Sequence, residues 1–209
     1  MTRRRDRSRD IVDAAEALFA TGSFEGVSIR HIAKAAHVPL GLVTYYFSTK
    51  EALIDRVIAR RAAPLNEARE AALSAADLTD VQSISRAFVE PLLEFVEDGE
   101  PGWHSYSLLI SKANQSSSSI GIMARYFNAT ADKFIKAYAD ALPGVPYEVC
   151  ARGFMMEGTL MLGLLSYRRL DTLSHGVVRS DDVRTAYRYL MCFSGGGWDA
   201  LKRDFSTQD

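Results

Sequence analysis

The sequence predicts an all-α chain, and three observations carry that prediction. Apolar residues recur at helical spacing along most of the length, no stretch sustains the alternation of a half-buried strand, and glycine, proline and serine clusters separate the periodic runs. The 209 residues are 47% hydrophobic and 24% charged, an ordinary globular composition that excludes disordered and fibrous classes. That length can bury a substantial core without disulfide staples. No internal repeat is visible at the periods of about 20–50 residues that mark solenoids.

The elements follow in order. Ile11, Ala14, Ala15, Leu18 and Phe19 form the apolar stripe of a first helix, with Arg9, Asp13 and Glu16 off it. Gly22 stops that helix, and Phe24 can fold back as a hydrophobic plug. Ser28 suits the N-cap of a second helix whose stripe is Ile29, Ile32, Ala33 and Ala36. His37-Val38-Pro39 breaks it, because the residue before proline is pushed out of the helical region. Pro39 then fits the first position of a third helix that reaches about Phe47. Ser48 or Thr49 caps a fourth helix, opening Lys50-Glu51-Ala52-Leu53 and continuing past Arg61 to about residue 76, with a kink or interruption at Pro64. Further helices are expected near 81–97, 103–113, 117–141, 147–169 and 181–203. The Gly195-Gly196-Gly197 run is expected to end or break the last one before Trp198.

Charge is distributed unevenly. The net charge is −1, yet residues 1–61 hold eleven Lys/Arg against seven Asp/Glu, and residues 62–209 hold fourteen against nineteen. A basic head on an acidic body is the asymmetry expected when one end meets a polyanion; a solvated arginine tail is the alternative. Cys150 and Cys192 are the two cysteines, so neither a disulfide framework nor a cysteine-rich zinc site is expected, and both thiols are expected to be buried. The chain opens Met-Thr-Arg-Arg-Arg without the apolar stretch of a secretory signal. Its most apolar window, Gly153 to Tyr167, carries Glu157 and falls short of the ~18–20 residues of a membrane span. A soluble, cytoplasmic protein is therefore expected, with no membrane partner.

Residues 27–53 are the informative segment. Two short helices joined by a three- or four-residue turn form a helix-turn-helix, and the second is sized for the DNA major groove. Gly41 lets backbone approach a phosphate or groove edge, Tyr45 and Tyr46 supply hydroxyls, and Lys50 places an ammonium at a helix start that already attracts anions. Phe47 is read as a core aromatic, and Arg30 and Lys34 as a solvated face.

At these residues the chain resembles the TetR family of bacterial transcriptional regulators. The likeness rests on the Ile11 to Phe19 pattern, the Phe24 plug, Val-Ser-Ile-Arg-His-Ile-Ala, Gly41-Leu-Val-Thr-Tyr-Tyr-Phe and Ser-Thr-Lys-Glu-Ala-Leu, in the family's order over residues 9–55. It implies that Ser28, Tyr45 and Lys50 hold phosphates and that Leu40, Leu42, Thr44 and Tyr46 face base edges. Three positions depart from the family pattern. His37 stands where the turn usually has Gly and must take positive φ or shift the turn, Pro39 stands where Ser or Thr usually opens the recognition helix, and Thr44 replaces a frequent Tyr. Leu40 and Leu42 offer apolar contact, for instance with thymine methyls, so base-specific hydrogen bonding from this helix is sparse. Arg3, Arg4, Arg5 and Arg7 form an arm for the minor groove or the backbone, or one without order in the absence of DNA.

The resemblance divides the chain into a DNA-binding head, residues 1–50, and a helical body for ligand binding and dimerisation, residues 51–209. The body shows no phosphate loop and no catalytic or metal motif, its histidines are scattered, and neither a cofactor nor an enzymatic reaction is expected. Its interior is expected to include Trp103, Tyr106, Phe127, Phe134, Phe154, Met155, Met156, Met161 and Tyr167, with Trp103, His104, Phe127 and Met156 as candidate walls of a pocket for an apolar effector. Gly153, Gly158 and Gly163 allow close approach along the 147–169 helix, and Val183, Ala186, Tyr187, Leu190 and Met191 form a stripe on the last. The resemblance implies that these two helices pair with their copies in a homodimer. The expected function is a ligand-responsive repressor of a palindromic operator; the alternatives are an activator of the same fold, a helical enzyme or a protein-binding adaptor.

Overall fold

A computed structural model describes residues 7–22, 24, 26–99, 101–117, 119–165 and 169–206. Arg3, Arg4 and Arg5 of the arm and Tyr167 lie outside them. The described residues contain helices and no strand. The chain divides into two compact units, one of Met1–Ala63 with Glu100–Tyr126, the other of Pro64–Gly99 with Phe127–Asp209.

The first unit begins with α1 (Arg7–Thr21), α2 (Ile29–Ala35) and α3 (Leu40–Tyr46), which pack on one another as a three-helix head. Ile11, Ala15 and Phe19 of α1, Ile32 of α2 and Val43 of α3 are fully buried between them. Phe24 packs its ring 5.3 Å from Phe19 and closes the end of this core. Ser28 caps α2, its oxygen accepting the His31 N–H at 3.2 Å while His31 Nδ1 faces the Ser28 N–H at 3.5 Å. His37 takes φ 54°, the left-handed conformation the turn demands. Pro39 sits one residue earlier than expected: it is the N-cap, with extended backbone and a carbonyl that accepts the Leu42 N–H at 2.9 Å.

The chain then enters α4 (Lys50–Ala75), capped by Thr49, whose hydroxyl accepts the Ala52 N–H. Pro64 does not interrupt the helix, which is continuous from Lys50 to Ala75. Proline in a helix interior costs about 3 kcal/mol, whereas each buried leucine or valine contributes about 1.5–3 kcal/mol, and α4 buries Leu53, Val57, Ile58 and Leu65 fully.

The first unit also contains α6 (Trp103–Ala113), which follows α5 (Val81–Asp98) in the chain. What holds it there begins in α1. Glu16, expected on the solvent side, is 3% exposed and binds Arg60 (2.6 Å) and Arg61 (3.1 Å) of α4. Arg61 also donates to the Pro101 carbonyl at 2.8 Å and lies over the Trp103 ring. Gly102, at φ 106°, fits beneath: a Cβ there would collide with Arg61 and Glu16. At the other end of α6, Lys112 donates to the carbonyls of Ala20 (2.6 Å) and Gly22 (2.9 Å), capping α1. Tyr106 joins α6 to α4 by donating to the Ile58 carbonyl at 2.9 Å.

The second unit comprises the latter part of α4, α5, most of α7 (Ile120–Ala141), α8 (Tyr147–Leu164), α9 (Leu170–Leu173) and α10 (Val183–Phe205). Phe88, Phe134 and Phe154 cluster at centroid distances of 4.6–6.3 Å. Beside them Glu157 accepts hydrogen bonds from Tyr138 (2.6 Å) and Ser194, and Tyr138 pairs with Ser85 at 3.0 Å, so one buried carboxylate ties α5, α7, α8 and α10. Burial and the adjacent carboxylate hold the Tyr138 hydroxyl well above its ordinary pKa.

Three expectations for this unit are corrected. The helix 147–169 ends at Leu164, although Leu165-Ser166-Tyr167-Arg168 has no glycine or proline to signal it. The final helix continues through Gly195–Gly197 to Phe205, because Gly195 is a packing site: a Cβ there would strike Gln82, and Trp198 beyond it is buried against Tyr138 at 4.0 Å. Met155, Met156 and Cys192 are exposed rather than interior, because they point away from the face that α8 and α10 bury against each other.

Candidate nucleic-acid interface

The interface is built on α3. Its buried residue is Val43, which holds the helix on the head, while Phe47 just beyond is buried as expected. The remaining side chains face outward: Tyr45 is 80% exposed, Leu40 and Tyr46 each 43%, and Leu42 is half-buried. Tyr45 and Tyr46 meet edge-to-face at 5.4 Å, which limits the directions their hydroxyls can take. Gly41 is exposed, and a Cβ there would meet nothing within 4 Å. No internal packing requires that glycine. Thr44 is exposed, with its hydroxyl donating to the Gly41 carbonyl at 3.1 Å.

The surroundings carry positive charge. Arg30 and Lys34 of α2 and Arg56 of α4 are exposed, as are His31 and His37. Ser28 is exposed beside them at the start of α2. Lys50 is placed differently from a free phosphate ligand. Its ammonium donates to the carbonyls of Phe24 at 2.6 Å and Val27 at 3.2 Å, latching the α1–α2 connection to the start of α4.

The four pocket candidates have separate settings. Trp103 is buried in the first unit, edge-on to Tyr106 at 5.6 Å, and His104 nearby is exposed. Phe127 is half-buried in the second unit, and Met156 is exposed there. Among the described residues no group of three or more His, Cys, Asp or Glu is placed to hold a metal, and no helix is long and apolar enough to cross a membrane.

Sequence reasoning missed the outer face of α8 and α10. Met155, Met156, Thr159, Leu160 and Phe193 line an open groove of about 800 Å³, with Tyr189 and Phe193 each 72% exposed. Tyr189, Cys192, Phe193 and Gly196 recur at i, i+3, i+4 and i+7, a second stripe that the first one overshadowed. The glycines of α8 do not serve that face. Gly153 makes room for the Trp198 ring, 2.6 Å from where a Cβ would stand, and Gly158 faces Phe88.

Comparison with known proteins agrees with this geometry. Residues 11–57 match the family of bacterial regulatory proteins, tetR family, and residues 86–197 match the tetracyclin repressor-like C-terminal domain. No curated protein sequence matches the chain. Among solved structures, GusR of Salmonella enterica aligns over 97% of this chain and 98% of its own at 17% identity and TM-score 0.60. The fatty acid degradation regulator FadR of Bacillus halodurans covers 91% and 97% at 16% identity and TM-score 0.58. A transcriptional regulator from Rhodococcus sp. Rha1 covers 91% and 96% at 16% identity and TM-score 0.58. With both of its family domains present in order, and a DNA-binding helix-turn-helix at its head, the chain belongs to the TetR family of transcriptional regulators.

Proposed function

We propose that the protein is a homodimeric repressor released from a palindromic operator by a small apolar or amphipathic effector. The observation that carries this reading is the pairing of two outward faces, the aromatic and apolar surface of α3 in the basic head and the apolar groove of α8 and α10 in the second unit. Tyr45 and Ser28 bind phosphate oxygens, as does Lys50 where its charge reaches the backbone, and these contacts set register. Leu40, Leu42, Thr44 and Tyr46 face base edges, and Gly41 allows close approach. Two copies joined through α8 and α10 present their recognition helices to successive major grooves, which requires a separation near one helical turn, about 34–36 Å, or modestly more.

The effector acts only through differential affinity: a coupling of about 1–3 kcal/mol lowers operator affinity roughly 5–150-fold, and a ligand that binds both states equally releases nothing. Its apolar character is inferred from the aromatic and methionine content of the second unit, to which the half-buried Phe127 belongs. The helix α4, which starts beside the head and continues into the second unit, is the covalent link for this coupling. We assign the chain no catalytic reaction.

The test is a randomised-duplex selection with the full-length protein at about 100 mM salt, followed by anisotropy titration and sedimentation. The expected result is a two-fold symmetric site bound by a dimer, with affinity falling steeply as salt rises. A reporter carrying that site then gains expression when the gene for this chain is deleted. Failure to bind any duplex at low salt overturns the reading.

A further inference from the structure

We propose that α3 reads its operator through thymine 5-methyl groups, with Leu40 and Leu42 as the specificity-determining residues. The inference rests on the DNA-binding reading above and names what that site recognises.

Leu40 to Tyr46 is Leu-Gly-Leu-Val-Thr-Tyr-Tyr, without a guanidinium, ammonium, carboxylate or side-chain amide. The forked groups that pair with guanine O6/N7 or adenine N6/N7 are therefore absent from the helix. Thr44, a further hydrogen-bonding side chain on it, has its hydroxyl donating to the Gly41 carbonyl. What α3 offers at its start is apolar: Leu40 is 43% exposed although large, and Leu42 is half-exposed two residues on. Between them Gly41 carries no side chain, and the space where its Cβ would stand is open. An exposed leucine is ordinary by itself. Two leucines flanking an uncrowded glycine at the N-terminal end of a recognition helix, the end that contacts base edges, form a surface matched to an apolar group in the groove. Thymine presents one, its C5-methyl, and the other three standard bases present none there. Tyr45, exposed and aromatic, and the cations Arg30 and Lys34 of α2 are left for the backbone.

The experiment takes the operator recovered by selection and replaces each thymine in turn with deoxyuridine, which removes the methyl and leaves pairing intact. One or two thymines per half-site are expected to show a loss of about fourfold per methyl, and about fifteenfold when both half-sites are changed, from the transfer value of one buried methyl. At the same steps 5-methylcytosine, which carries its methyl at the same place, is expected to bind better than cytosine. Leu40→Ala and Leu42→Ala should each erase the thymine-over-deoxyuridine preference at one step while leaving the melting temperature and salt slope unchanged. Should Leu42→Ala lower the melting temperature, Leu42→Gln keeps a side chain of similar size while replacing its apolar end, and tests the same step. Equal affinity for thymine and deoxyuridine at every position, or a selected half-site with no thymine, overturns the inference while DNA binding itself stands. Absence of binding to every duplex instead overturns the reading on which it rests.

Discussion

Lys50 shows how a single side chain can answer to two demands. The family pattern assigns its charge to a phosphate, and its ammonium is found on the carbonyls of Phe24 and Val27. These carbonyls lie in the connection between α1 and α2, and hydrogen bonds to a charged donor contribute about 1.5–3 kcal/mol. Lys50→Ala is therefore expected to lower the unfolding free energy by about 1–2 kcal/mol in urea titrations. If the charge also meets phosphate, the same variant flattens the salt dependence of operator binding by about one unit. A stability loss with an unchanged slope confines Lys50 to the latch, and an unchanged stability removes the latch. His37 is the opposite case, a residue whose backbone rather than its side chain is in demand. Its left-handed φ is one of the two outcomes that the family resemblance left open, since His37 stands where the turn usually has glycine and had to take positive φ or shift the turn. The partners of Lys50 were not readable, since they lie more than twenty residues away on a loop with no periodicity.

At the scale of elements, the head is held by more than its own three helices. Lys112 of α6 caps α1, and burial lowers the Lys112 pKa from its ordinary value. Glu16 joins α1 to α4 through Arg60 and Arg61, and Arg61 reaches the Pro101 carbonyl at the approach to α6. Removing one partner of a buried ion pair strands the other, at a cost of about 3–5 kcal/mol. Glu16→Leu is expected to destabilise the protein by that amount, and Glu16→Leu with Arg61→Met to recover part of it, because the second change removes the more deeply buried of the two guanidinium groups that Glu16 binds. A double-mutant cycle in urea measures the coupling, and additive losses would mean that Glu16 and Arg61 do not act together. This clamp also marks where sequence reading stopped. The helices were legible from periodicity and punctuation, down to the bounds of α6 and the N-cap of α2. A glutamate one position off an apolar stripe looks solvated until the arginines from α4 are seen beside it. An interruption at Pro64 and a break at the three glycines of α10 were expected for a related reason: each weakens a helix locally, and the burial that offsets it, of Leu53, Val57, Ile58 and Leu65 together on α4 and of Trp198 on α10, is not displayed by local sequence.

At the scale of the whole molecule, the uneven charge and the uncovered apolar groove belong to one requirement. In the proposed reading a single head binds a half-site, and the free energies of two half-sites combine only if the two heads are joined. The face fit for that joining presents Tyr189, Phe193, Met155 and Met156, a contiguous apolar surface of the kind monomers seldom leave open. Gly158 is not the residue with which to test it, since its missing side chain faces Phe88 within the same chain. Phe193 is: at 72% exposure it contributes little to the folded monomer, and a charge there would be desolvated at a two-fold interface, in a groove that Arg152 and Glu148 also line. Phe193→Glu is expected to sediment as a monomer with an unchanged melting profile at low protein concentration, and to lose specific operator affinity by about a hundredfold or more, the worth of about 2.7 kcal/mol. Weak, salt-sensitive binding to any duplex should survive, because the cations and tyrosines of each head are untouched. Charge reversal at a neutral control position, Lys202→Glu at the C-terminal end of the same helix, separates interface burial from a general electrostatic effect on DNA. A Phe193→Glu protein that remains dimeric and keeps its operator would move the joining surface away from α8 and α10, and with it the proposed spacing of the two recognition helices.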